Sequence, residues 1–473
     1  MTIAYDGDTA AIGGGQIDRA DIEDLDRRLM DYFRDVLVVH PELSRTWVSA
    51  RANKHLPGYR WFPYREAFSA PLVEYFVTTL QVSGDTVLDP FAGSGTTLFA
   101  ARDMGFHAVG IEVLPLGQTV ISTRAMIESE LTDADVARLS QWATDRLWEH
   151  WPDSYRLPEL RITHGAYPKE TQEAIERYIA AYHQENERVA AVLRFALLCI
   201  AETISFTRKD GLCLRWDHRS GRSRGNRRFE KGPMIPFSQA LSAKLHEILT
   251  DRAVIVQSHR IRPPGAIRLL PGSAFTCLPH VPDASVDAII TSPPYCNRCD
   301  YTRMYALELA LLHIDDRELC RLRRELIHCT LEHRPRDLGT MNPRWQTAIA
   351  AVDRHDLLQA ILAYLNQQHR QGRLNSPGIP AMVRGYVYEL ACLIAECIRV
   401  LRPHAPLVMV NDNVRYAGVA ISLDLILSQI AEQLGCSVEH IFVLPTAKGN
   451  SSQQMRTYGR VPLRKCVYVW RKR

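Results

Sequence analysis

Residues 85–113, DTVLDPFAGSGTTLFAARDMGFHAVGIEV, limit the fold more than any other stretch of the chain. An apolar run, a glycine loop, a helix-forming segment and a second apolar run follow in order. That is one βαβ unit of an α/β sheet. The alternation then stops, and residues 114–264 are mostly helical in pattern, with LTDADVARLSQWATDRLWEHW as one clear piece. The sheet resumes with AIRLLPGSA and VDAIITSPPY, is interrupted again over 301–383, and returns with the buried helix YVYELACLIAECIRVLRP and the strand APLVMVND. HIFVLPTA and CVYVWRK read as closing strands, and near the start DIEDLDRRLMDYFRDVLVV has helical apolar spacing. The organisation expected is a tail and helix (1–60), a discontinuous α/β core (61–113, 265–300 and 384–473) and two large, mainly helical insertions (114–264 and 301–383).

Composition narrows the class. No apolar run approaches the roughly 18–20 residues that cross a bilayer, and the start MTIAYDGDTAAIGGG lacks the basic-then-apolar order of a secretory signal. The 11 cysteines are odd in number, and several sit inside apolar patterns, as free thiols of a reducing cytosol do. A net charge of +4 over 473 residues calls for no anionic partner by itself, so local clusters carry the argument.

In VLDPFAGSGTT, Gly93 and Gly95 stand at the mouth of a helix, where backbone approaches a ligand closely and free N–H groups face it. No Lys follows the last glycine, so this is no nucleoside-triphosphate loop, and the third glycine of a dinucleotide fingerprint is missing. Glu112 ends the next strand 17 residues beyond Gly95, placed to accept hydrogen bonds from vicinal ribose hydroxyls. The ligand expected carries a ribose and no pyrophosphate.

DPFAGSGTT resembles the S-adenosylmethionine loop of the amino-group DNA methyltransferases, and GIEV resembles their ribose-binding acid. The resemblance implies a Rossmann-like class I methyltransferase sheet. It implies cofactor contacts from Asp89, Pro90, Phe91, Ala92, Gly93, Ser94, Gly95, Thr96 and Glu112. FPYREAFSAPLVEYF is similar to the segment preceding this loop in the family, which brings Tyr64 and Phe68 to the same pocket, and GSA adds Ser273.

VDAIITSPPY then reads as a buried strand ending at Ser292, with its end facing the cofactor loop. An exocyclic base amine is a poor nucleophile because its lone pair is delocalised into the ring. Acceptors at Ser292 Oγ and the Pro293 carbonyl would orient it, Pro293 and Pro294 fix the turn, and Tyr295 would stack on a base extruded from the duplex. Ser-Pro-Pro-Tyr resembles the family variant associated with cytosine-N4. Asp-Pro-Pro-Tyr and Asn-Pro-Pro-Tyr are commoner for adenine-N6. No Pro-Cys dipeptide is present for a carbon-5 mechanism.

The stretch FTRKDGLCLRWDHRSGRSRGNRRFEKG carries Arg208, Lys209, Arg215, Arg219, Arg222, Arg224, Arg227 and Arg228 among interleaved aromatics, a composition suited to phosphate contact. Asn297 and Arg298, beside the catalytic turn, join this nucleic-acid set. Asn450 and Gln453, in KGNSSQQMRTYGR, either read a base edge or stabilise a turn. Cys296 and Cys299 have zinc-like spacing, but the second pair is irregular, so no metal is expected. The whole implies a prokaryotic, cytoplasmic, nucleoid-associated enzyme that methylates cytosine-N4 in double-stranded DNA with S-adenosylmethionine. A restriction endonuclease or other defence subunits are possible partners. Adenine-N6 transfer, an RNA amine substrate, or a catalytically idle DNA-binding subunit are the other readings.

Overall fold

The computed structural model describes residues 17–44, 46–65, 67–210, 213–222, 228–296, 299–331, 335–445, 455–459 and 461–473. Eight strands form one sheet: β1 (Leu37–Val39), β2 (Thr86–Asp89), β3 (His107–Glu112), β4 (Ile267–Pro271), β5 (Ala288–Thr291), β6 (Pro406–Asp412), β7 (Cys436–Val443) and β8 (Lys465–Lys472). Their order is β1-β7-β8-β6-β5-β2-β3-β4. β8 runs antiparallel to both its neighbours, and the other pairings are parallel. The chain leaves β2 toward β3 and β4 on one side, and its next strand, β5, lies on the other. β2 and β5 therefore flank the topological switch point, where open α/β sheets bind ligands.

The pleat sends alternate residues to opposite cores. Leu88, Ile289, Leu407, Met409 and Tyr468 join a core with the helices Ile379–Val400, Asp356–Arg370 and Leu423–Gln433. Ile290, Val408, Val410, Val467 and Val469 face the helix Ala70–Thr79, while Val87 and Ala288 pack against Thr96–Asp103.

Two segments depart from the periodicity reading. The first helix, Arg19–Tyr32, starts on a reciprocal cap between Asp18 and Asp21. It stops before the VLVV run, whose Leu37–Val39 instead pairs with β7. Branched side chains suit a pleated edge better than a helix end. The 301–383 stretch divides between two bodies. Tyr301–Leu326 contributes to a helical core with Pro115–Ser129, Glu187–Ile200 and Phe237–Ile261. Gln346–Asp353 and Asp356–Arg370 pack beneath the sheet.

Candidate active site

β2 ends at Asp89, and the loop turns through Gly93 (φ 55°) and Gly95 (φ 82°) into the helix Thr96–Asp103. Both glycines are in the left-handed region that side-chain-bearing residues avoid. Gly93 N–H donates to Glu112 Oε2 and Leu114 N–H to Oε1, each at 2.7 Å, so one carboxylate ties the loop to the end of β3. Gly117 completes the cradle, since a Cβ there would lie 2.5 Å from the Gly93 carbonyl oxygen. Burial pushes the Glu112 carboxyl up to about 7 despite these two donors. Asp89, which accepts from Thr291 Oγ1 (2.6 Å) and Phe91 N–H (3.0 Å), is likewise pushed up to about 6 by burial.

These groups line one cleft. All the expected cofactor residues line it except Gly95, which caps the helix behind it. Leu326 and Ile327 also line it, together with Phe275 and Tyr301. Leu326 and Ile327 lie deep inside the second insertion and carry no motif, so only the folded chain brings them here. Tyr64 stacks on Tyr305 at 5.0 Å between ring centres, and a Cβ on Gly93 would sit 3.2 Å from the Tyr64 ring. The cleft fits S-adenosylmethionine on its donor set. Two buried carboxylates, costly to ionise in isolation, suit hydroxyl and ammonium donors, and aromatic and aliphatic walls suit a purine.

β5 stops at Thr291, one residue short of the expected end, and Ser292 follows half-buried. Ser292 Oγ donates to the Val410 carbonyl oxygen of β6 (3.1 Å) and lies 3.2 Å from Tyr295 Oη. A carbonyl can only accept, so the single serine proton is directed into the sheet and the Oγ lone pairs are left as acceptors. Ser292 and Pro294 line the cofactor cleft, whereas Tyr295 lines a neighbouring cleft that shares Tyr64, Ala67 and Ser94 with it. Lys465 Nζ stands 5.8 Å from the Tyr295 ring centre and pairs with Asp412 at 2.8 Å.

The basic stretch forms a hairpin, Thr207–Asp210 against Cys213–Trp216, in which alternate residues face opposite ways. Arg208 is exposed, but Lys209 is buried on Glu308, with Glu202 at 3.8 Å and the Tyr305 ring centre at 4.7 Å. Lys209 is therefore withdrawn from the phosphate-contacting set, because strand alternation turns it inward to neutralise a buried carboxylate. Arg215, Arg222 and Arg228 are exposed; Arg215 covers Phe229 at 4.2 Å and Arg222 covers Trp216 at 4.6 Å. Arg219 is committed to Asp217 in a bidentate pair, its Nε and Nη2 both 2.8 Å from the carboxylate, and Nη2 also donates to the Gly232 carbonyl. Arg224, Arg227, Asn297, Arg298, Asn450 and Gln453 lie outside the described residues. Cys296 and Cys299 are buried, and burial pushes the Cys296 thiol up to about 12. Among the described residues, no helix is long and apolar enough to cross a membrane.

A glycine loop and a Ser-Pro-Pro-Tyr turn on adjacent strand ends, under one cleft, define a Rossmann-like methyltransferase. A family model described as DNA methylase matches residues 26–115. The chain is 48% identical over 456 residues to the type II methyltransferase M.AvaI of Nostoc sp., covering 96% of this chain and 94% of that protein. It is 35% identical over 459 residues to the type II methyltransferase M.BsoBI of Geobacillus stearothermophilus, covering 91% and 88%. The chain belongs to the amino-group DNA methyltransferases, whose methyl donor is S-adenosylmethionine.

Proposed function

We propose that this enzyme methylates the exocyclic N4 amine of cytosine in a specific duplex sequence. The observation that carries the reading is Ser292, a neutral acceptor at the first position of the turn whose proton is held by Val410 O. A cytosine amine donating to Ser292 Oγ and to the Pro293 carbonyl has both hydrogens directed. That geometry favours a pyramidal nitrogen with its lone pair aimed across the turn. Pro294 has no N–H to compete for the carbonyls of the turn. Tyr295 supplies a ring against which an extruded base packs.

Glu112 would hold the ribose hydroxyls, Asp89 and the 90–94 loop the methionine end, and Phe275 and Ile327 the purine. Ser273, whose hydroxyl donates to the Glu325 carbonyl at 3.0 Å, would border the purine as a structural contact. When bound, S-adenosylmethionine supplies an electrophilic methyl on a sulfonium, so no covalent enzyme intermediate is required. Arg208, Arg215, Arg222 and Arg228 on the outer face of the 114–264 insertion would contact phosphates, and the 301–383 segment would share target recognition. The same reading includes a bacterial cytoplasmic setting at the nucleoid and a cognate restriction endonuclease as partner; what supports it is that the relatives are type II methyltransferases of bacteria.

The test is incubation with labelled cofactor and genomic DNA or total RNA, followed by mass spectrometry of the nucleosides. N4-methylcytosine is the expected product. N6-methyladenine would replace the base assignment, and label in RNA alone would replace the substrate. Ser292→Ala should lower kcat by about a hundredfold or more, the scale seen when one positioned polar partner is removed. Cofactor affinity should stay near that of the parent. Equal losses in both would displace Ser292 from the reacting amine.

A further inference from the structure

The cleft that Tyr295 lines is open to solvent and is walled by residues of the 48–65 segment, with Ser94 and Lys465. Its wall is strongly cationic, carrying Arg51, Lys54, Arg60, Arg65 and Lys465 against one carboxylate, Glu247. Glu247 is already paired with Lys244 at 2.5 Å. Three of the cations are also committed: Arg60 to Asp251, Lys465 to Asp412, and Arg65 to Glu202 at 3.5 Å. Arg51 and Lys54 are exposed and make no ion pair among the described residues. Lys54 lies in the short 3-10 turn Ala52–His55 and Arg51 caps it, a spacing of three at which side chains of such a turn eclipse.

The wall is also anchored. Buried Asp251, from the helix Phe237–Ile261, accepts hydrogen bonds from Gly58 N–H (3.2 Å), Arg60 Nε (2.9 Å) and Trp61 Nε1 (2.9 Å). Asn53, buried in the same turn, donates to the Phe68 carbonyl at 3.1 Å and accepts from Ala70 N–H at 2.9 Å. A pair of unneutralised cations on a braced wall, opening onto the tyrosine of the methyl-transfer turn, is built for an anionic chain that ends at that tyrosine.

We infer that this trench holds the sugar–phosphate backbone of the target strand, with Arg51 and Lys54 on the phosphates flanking the extruded nucleotide. The inference rests on the DNA-methylation reading and adds a phosphate site outside the basic hairpin. The two clefts share Tyr64, Ala67 and Ser94, so a base resting on the Tyr295 ring with its amine at Ser292 leaves its own backbone on the trench side.

The test compares the full chain with Arg51→Ala, Lys54→Ala, the double variant and the charge-keeping Arg51→Lys. The probe is a linear plasmid fragment, assayed for both binding and methyl transfer. Binding of the fragment is followed against salt concentration, and cofactor affinity is measured separately. Each cation removed should lower the slope of log affinity against log salt by about 0.9. The KM for DNA should rise while cofactor affinity holds, and Arg51→Lys should keep the parental slope. Parental slope and parental KM in the double variant would overturn the inference. A parent that binds the fragment without methylating it would sink the reading beneath, while the slopes still decide the trench. A parent that binds no duplex overturns both.

Discussion

Glu112 shows how a single side chain couples protonation to ligand binding. Its carboxylate is held by two backbone N–H groups, yet burial keeps the acid form favoured up to about pH 7 in the ligand-free protein. Ribose hydroxyls donate best to the ionised form, so binding must expel a proton wherever the acid form dominates. The sign follows: affinity for S-adenosylmethionine should fall as pH drops below 7, by up to about tenfold per unit. Asp89, held up to about 6 by burial, adds to the slope below that pH. Calorimetric titration across this window measures it, and Glu112→Gln should lose both the affinity and most of the dependence. A flat profile in the parent would mean the cofactor does not engage this carboxylate. The same carboxylates bind more protons folded than unfolded between their ordinary range and these raised values. The ligand-free protein should therefore lose stability as pH rises through that interval.

The hairpin at Thr207–Asp210 and Cys213–Trp216 shows what an element adds to its residues. Arg208 and Lys209 are adjacent cations of equal formal charge, yet the pleat gives them opposite tasks. Lys209→Met should leave Glu308 buried without its counter-charge, at a cost of about 3–5 kcal/mol. Arg208→Ala should leave stability within about 0.5 kcal/mol of the parent, as an exposed substitution does, while weakening DNA binding. Urea unfolding of both variants reads the contrast. Equal stabilities would mean the Lys209–Glu308 pair is not what closes this core. Arg323 and Arg336, in and after the helix Asp316–Glu325, follow the same logic, being paired with the buried carboxylates of Asp300 and Glu389, whereas Arg321 pairs with Glu318 at the surface. A run of positive residues can be internal scaffolding.

At the scale of the whole molecule, the first insertion is not detachable. Trp61, Phe62 and Tyr64, which precede the cofactor loop, belong to the helical core of that insertion, and Asp251 within it staples Gly58, Arg60 and Trp61. Deleting residues 116–262 and rejoining the ends should expose this aromatic wall and give an aggregating chain that binds no cofactor. A soluble, cofactor-binding product in sedimentation and calorimetry would show instead that the sheet folds by itself. What could be read from the chain alone is local. The glycine loop, Glu112, the Ser-Pro-Pro-Tyr turn and the sheet strands around them depend on spacing and backbone chemistry within about thirty residues, and the structure puts them at neighbouring strand ends. The extension of the first helix through VLVV and the outward reading of Lys209 failed because strand pairing and a distant carboxylate decided those positions. Leu326 and Ile327 in the cofactor cleft, and Arg51 and Lys54 in the wall of the cleft that Tyr295 lines, carry no motif. Their roles come from contacts between segments tens to hundreds of residues apart, where burial and charge neutralisation are set by the partner. The chemistry of the site was thus written in short motifs. Which cations turn outward, and which walls line the cleft, was decided by tertiary packing.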